Sequence, residues 1–243
     1  MRLTLLSAVA ALALLAAPAL AAPVSLADRA PDAVALDAGR HPVEVLEASG
    51  LKAGDTVLDV MAGSGYYSEL LARVVGPKGK VVAMEPPPFL DNPKALAAWD
   101  ALIQRNPNVT LLKALPGDDV LPAGLDAAFF HLTYHDLYWE SEKFKFPRLD
   151  PVAFNARLFK AMKKGGTVIL IDHVGAPGDP RVTADKVHRI DPAVARADFE
   201  KAGFKFVREV PVLRTGGDNP ATLVFDPAVR GKTDRFYYIF RKP

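Results

Sequence analysis

Between Phe129 and Trp139 the chain reads Phe-Phe-His-Leu-Thr-Tyr-His-Asp-Leu-Tyr-Trp, a run dense in titratable and aromatic side chains. His135 is the candidate general base, because an imidazole takes a proton from a hydroxyl or amine near neutral pH. Asp136 could orient it. Tyr134, Tyr138 and Trp139 could wall a cavity or cage a ligand cation. The competing reading is a helix start that uses these aromatics for packing, with the histidines as hydrogen-bonded core or rim residues. His131, His135, Asp172 and His173 could converge on a metal. Leu132 stands where the helical zinc-protease pattern needs Glu, however, so no metal is assigned.

A second constellation lies upstream. Val57-Leu58-Asp59-Val60 is an apolar run carrying an acid near its end, and Met61-Ala62-Gly63-Ser64-Gly65 turns it into a helical pattern from Tyr66. Gly63 and Gly65 let backbone approach a ligand where a side chain would clash. About 20 residues further on, Glu85 closes the next apolar run, where an acid can accept two hydrogen bonds from a ribose diol. The bland alternative is a tight turn that needs glycine, beside a surface Glu.

The elements that must position these groups are legible from apolar runs between turn residues. Strands are expected at Thr56–Val60, Lys80–Met84, Val109–Lys113, Asp126–His131, Thr167–Asp172, Phe204–Pro211 and Arg235–Arg241. Helices are expected at Pro42–Ala48, Tyr66–Val75, Pro93–Arg105, Pro151–Met162 and Pro192–Ala202, the last with Asp191 as N-cap and Gly203 as stop. Residues 22–38 read as an exposed leader into a helix. Strands alternating with helices imply an α/β, Rossmann-like, mostly parallel sheet covered on both faces. The two closing strands suit a seven-stranded sheet with a C-terminal antiparallel hairpin. Ligands of such sheets lie beyond the carboxyl ends of the strands, where both constellations fall.

Asp59-Val60-Met61-Ala62-Gly63-Ser64-Gly65 resembles the first motif of class I S-adenosylmethionine-dependent methyltransferases, departing at Met61, where that family usually has its first glycine. The resemblance implies S-adenosylmethionine as cofactor, with Asp59 and the loop Ala62, Gly63, Ser64 and Gly65 at the methionyl moiety and Glu85 on the ribose. It further implies that Asp118 or Asp119 meets the adenine amino group, and it sets His131 beside the cofactor. His135, Asp136 and Tyr134 are then the candidate catalytic residues. His188-Arg189-Ile190-Asp191-Pro192, Ala202-Gly203-Phe204 and the stretch from Val224 to Asp234 resemble a bacterial group of predicted exported methyltransferases. Arg189 and Asp191 could form a structural pair, and Arg230 could bind an anionic group or sit in a fixed surface turn.

Composition narrows the function classes. A formal net charge of +2 gives no basic footprint for nucleic acid. The chain has no cysteine, which excludes disulfides, cysteine zinc sites and a thiol nucleophile. Arg2, the apolar run Leu3–Ala17 and Ala19-Leu20-Ala21 form a signal-peptide pattern with cleavage expected after Ala21. The expected organisation is a signal peptide over 1–21 and a single domain over 22–243. The protein would be exported to the periplasm, with no stable membrane insertion after cleavage and a small-molecule acceptor as partner. Two other readings remain: an exported, non-catalytic small-ligand-binding protein on the same fold, and a histidine-site metal hydrolase.

Overall fold

A computed structural model describes residues 24–243. The signal-peptide segment 1–21 lies outside the described residues. The strands are Thr56–Val60 (β1), Lys80–Glu85 (β2), Val109–Lys113 (β3), Leu125–His131 (β4), Met162–His173 (β5), Lys205–Glu209 (β6) and Arg235–Arg241 (β7). They form one sheet in the order β3-β2-β1-β4-β5-β7-β6. β1 to β5 run parallel, and β7 inserts antiparallel between β5 and β6. This is the seven-stranded, mostly parallel sheet with a C-terminal antiparallel hairpin that the sequence implied.

The helices are Pro31–Val34 (α1), Asp37–Arg40 (α2), Pro42–Ser49 (α3), Tyr66–Val75 (α4), Pro93–Arg105 (α5), Pro151–Ala161 (α6), Pro180–Val187 (α7) and Pro192–Lys201 (α8). Four of them start alike. Asn92, Asp150, Asp179 and Asp191 each accept a backbone N–H with the side chain, and a proline follows at the first helical position. The cap satisfies a donor the helix cannot, and proline lacks the donor that would be orphaned there. α7 carries the same Asp-Pro signal that located α8, yet it was not among the expected helices. Its polar pattern hid it, because only Ala184 is buried.

Side chains alternate across the sheet and build two cores. Leu58, Val60, Met84, Phe130 and Leu170 face Phe154 and Leu158 of α6 and Phe199 of α8. Val57, Val81, Phe129, Ile169 and Ile171 face α3, α4 and α5 through Val45, Leu70 and Trp99. Strands buried on both faces explain the near-continuous apolar runs. β6 forms one edge, carries Lys205, Arg208 and Glu209, and is largely exposed, a pattern that blocks further pairing.

The strand order reverses between β1 and β4, because β2 and β3 lie to one side and β5 to the other. A crevice is expected outside the carboxyl ends of the strands at that point.

Candidate functional site

A cavity of about 220 Å³ opens at this reversal. Asp59 and the loop Met61–Ser64 line one wall, His131, Leu132 and Thr133 another, and Arg40, Tyr66 and Tyr67 close it. Thr133 Oγ1 donates to the Val60 carbonyl at 3.0 Å and ties the two walls together. The glycine loop is open towards it: a Cβ added at Gly63 would meet nothing within 4 Å.

Glu85 ends β2 with its side chain turned towards the loop. Its Oε2 accepts the Gly63 N–H at 2.7 Å, and the residue is only 3% exposed. Burial raises its pKa to about 8 against the opposing effect of that hydrogen bond, and the charges of Asp59 and Asp136 add to the rise. Asp59 is likewise raised by burial, to about 6, although Ser68 Oγ donates to it at 2.6 Å. Met61 does not plug the turn. Its side chain is buried in the core beneath, and its backbone takes the left-handed conformation with φ 52°. A glycine would enter that region freely, whereas a side chain there costs roughly 1–2 kcal/mol.

Arg40, Tyr66, Tyr67, Leu132 and Thr133 were not anticipated from the sequence. Arg40 stacks over the Tyr66 ring at 4.3 Å and forms none of the ion pairs found among the described residues. The segment before it is anchored: Arg29 pairs with Asp37, and Tyr66 Oη donates to Asp37 at 2.7 Å. A half-buried guanidinium without a carboxylate partner, set in a polar cavity, is a ready anion contact. Arg40 lies outside the glycine motif, so only the fold could bring it there. His131 also lines this cavity, 4.5 Å from the Tyr67 ring. Its buried Nε2 has no hydrogen-bond partner, and burial drives its pKa far down, so the ring is neutral. An orphaned acceptor or donor in a polar cavity marks a place for a ligand atom.

A second cavity of about 390 Å³ adjoins the first, with Leu132 bordering both. Phe89, Trp139, Phe144 and Phe225 supply aromatic walls, and His135, Asp136, His173 and His188 supply the polar groups. Phe144 and Phe225 are about half exposed and form the rim. His135 is held rigidly. Its Nδ1 donates to Asp172 Oδ1 at 2.8 Å and its backbone N–H donates to Asp172 Oδ2 at 2.8 Å. Asp136 Oδ1 stands 3.3 Å from His135 Nε2. Burial opposes the imidazolium, but Asp136 and Asp172 outweigh it and raise the pKa to about 9. His135 therefore keeps a proton at neutral pH, unlike the free base expected from its type alone.

The other anticipated residues fall in different places. Tyr134, expected among the catalytic groups, is fully buried; its Oη donates to Asp198 at 2.9 Å and accepts from Asn155 at 2.7 Å, so it braces α6 and α8 instead of meeting a ligand. Tyr138 shares Asp198, and of the three expected aromatics Trp139 alone lines the second cavity. Asp118 and Asp119 are both exposed beyond β3, and Asp118 accepts the Leu115 N–H at 2.9 Å. The histidines do not converge as grouped by sequence: His131 belongs to the first cavity, while His188, distant in the chain, joins His135 and Asp136. Arg189 pairs with Asp218, not Asp191, which caps α8.

The chain is similar to known proteins in two ways. The protein-L-isoaspartate(D-aspartate) O-methyltransferase family model matches residues 36–95. A protein-L-isoaspartate O-methyltransferase of Ignicoccus hospitalis is 46% identical over 46 residues, which is 19% of this chain. The chain matches about a fifth of the length of the curated relatives it resembles. Solved structures agree over far more. A SAM-dependent methyltransferase of Aquifex aeolicus superimposes with a TM-score of 0.59 at 25% identity, covering 83% of this chain and 89% of that one. A structure described as a possible exported protein of Bordetella parapertussis gives 0.54 at 18% identity, covering 89% of this chain and 71% of that one.

Fold, strand order and cavity together define the class I S-adenosylmethionine-dependent methyltransferase fold.

Proposed function

We propose that this protein transfers a methyl group from S-adenosylmethionine to a small acceptor held in the aromatic second cavity. The observation that carries the reading is Glu85, buried and turned back onto the Gly63 backbone at the strand-order reversal. A carboxylate there can take the ribose hydroxyls. Arg40 suits the methionyl carboxylate, and Asp59 and the orphaned His131 nitrogen suit its ammonium end. When bound, the cofactor supplies a methyl already activated by a sulfonium leaving group. The chain's own contribution is positioning: Leu132, shared by both cavities, places donor and acceptor side by side. His135 faces the same cavity, and Asp172 and Asp136 hold it in place.

A small acceptor is favoured over a protein because the second cavity is aromatic-walled and, at about 390 Å³, of small-ligand size. The isoaspartyl-methyltransferase likeness, spanning 36–95, supplies only Phe89 of that cavity and so describes the cofactor half. Asp118 and Asp119, close beyond β3, remain the acids proposed for the adenine amino group. Residues 1–21 are proposed to direct export to the periplasm and to be removed, leaving 22–243 as one domain. No helix among the described residues is long and apolar enough to cross a membrane.

Calorimetry with S-adenosylmethionine and S-adenosylhomocysteine tests the cofactor, and turnover of a small-molecule panel tests the acceptor. His135→Ala is expected to slow turnover and leave cofactor affinity nearly intact. Binding without turnover across the panel would favour the non-catalytic binding protein, and no binding of either nucleoside would overturn the reading.

A further inference from the structure

We propose that His135, Asp136 and His188 form a site for a first-row divalent metal ion at the floor of the second cavity, where the ion binds acceptors that offer two adjacent oxygens. The metal site stands on these three side chains alone; its role towards the acceptor rests on the methyl-transfer reading above.

One ligand atom from each residue lies within 4.8 Å of the others. Asp136 Oδ1 stands 3.3 Å from His135 Nε2 and 3.8 Å from His188 Nδ1. Bonds of about 2.0–2.2 Å place neighbouring ligand atoms roughly 3 Å apart. His135 and Asp136 are therefore at ligand spacing already, and His188 has to close by about 1 Å towards Asp136 and by less than about 2 Å towards His135, within reach of a side-chain rotation.

The surroundings are those of a ligated histidine. Asp172, wholly buried, accepts His135 Nδ1–H at 2.8 Å and leaves Nε2 as the nitrogen on the Asp136 side. A carboxylate behind a histidine in this way fixes the tautomer and strengthens the nitrogen as a donor to metal. Asp172 is itself locked by the His135 and His173 backbone N–H groups at 2.8 and 2.7 Å. Charge points the same way. Among the described residues Asp136 forms ion pairs only with histidines, whereas Asp172 also lies in the field of Arg235. A dication offsets the charge of Asp136.

Two imidazoles and one carboxylate leave coordination positions open, and the cavity that Trp139, Phe144 and Phe225 wall is where those positions are filled. An acceptor with two adjacent oxygens, such as a vicinal diol of an aromatic ring or a hydroxy-carbonyl, fills two at once. The metal acidifies the bound hydroxyl, whose proton passes to solvent. The oxygen lone pair then forms the new C–O bond as the C–S bond of S-adenosylmethionine breaks, and its electron pair stays on sulfur as S-adenosylhomocysteine leaves.

The test uses the mature chain, stripped with chelator and titrated with Co²⁺ and Zn²⁺ by calorimetry and visible absorption. One equivalent of Co²⁺ with ligand-field bands, displaced by Zn²⁺, is expected. His188→Ala and Asp136→Asn should each weaken Zn²⁺ by more than about tenfold, the loss already typical of disturbing the second shell. His188→Ala should also keep the melting temperature and the S-adenosylhomocysteine affinity. Acetohydroxamate, a two-oxygen probe, should shift the Co²⁺ bands. Failure to bind either ion, or binding unchanged in both variants, overturns the site, and an unshifted spectrum overturns the acceptor class. S-adenosylhomocysteine binding in the metal-free protein separates these failures from a failure of the methyl-transfer reading.

Discussion

Replacing Glu85 by Gln should abolish a pH dependence that the wild-type protein shows in cofactor binding. The free carboxyl titrates near pH 8 because it is buried. Two ribose hydroxyls donate best to the ionised form, so binding must first remove the proton. Each pH unit below 8 then costs about 1.4 kcal/mol, one factor of ten in affinity. Wild-type affinity for S-adenosylhomocysteine should rise about tenfold from pH 6.5 to 7.5 and level off above 8. Gln keeps the shape but has no proton to lose, so its profile should be flatter, apart from the contribution of Asp59 near 6. At pH 8.5 the variant should bind about 1–3 kcal/mol more weakly, the range for losing a charged hydrogen-bond partner. Stability must move the other way. A carboxyl raised on folding is protonated more readily in the native state, so its contribution is whole below its ordinary pKa and is lost as pH rises through 8. Glu85→Gln should therefore gain stability relative to wild type above pH 8. Calorimetric titrations from pH 6 to 9, with urea melts alongside, measure both. Parallel binding profiles for the two proteins would show that Glu85 does not grip the sugar.

Three further substitutions probe the framework. Arg40→Met should weaken S-adenosylhomocysteine by about 1–3 kcal/mol while the melting temperature stays nearly unchanged, because the guanidinium has no acid partner to orphan; an unchanged Kd would remove it from the methionyl end. Met61→Gly relieves roughly 1–2 kcal/mol of backbone strain but empties a buried side chain worth about 2–5 kcal/mol, so thermal melts should show a net loss of about 1–3 kcal/mol. Arg189→Met should cost about 3–5 kcal/mol, since Asp218 would be left charged and buried and the carbonyls of Val174 and Thr222 would lose their donor; an unfolding free energy from denaturant melts within about 0.5 kcal/mol of wild type would refute that.

The sequence by itself determined the sheet and its order of elements, because apolar runs, Asx-Pro starts and glycine stops are local signals with local causes. β1, α4, α5, β3 and β7 fall where those signals end. It also located the glycine loop and Glu85, since strand, turn and acid stand at fixed spacing in one unit. Only the tertiary structure decided which side chains meet. Arg40 reaches the first cavity from α2, and His188 reaches His135 from the end of α7, with no spacing to announce either. Tyr134 and His135 are neighbours in sequence, yet one braces the core and the other lines the cavity, because the 3-10 turn from His135 to Tyr138 points successive side chains in different directions. The charge state of His135 was equally hidden. Its residue type places it near neutrality, and the two carboxylates that raise it come from that turn and from β5, brought together by a parallel pairing that no local pattern encodes.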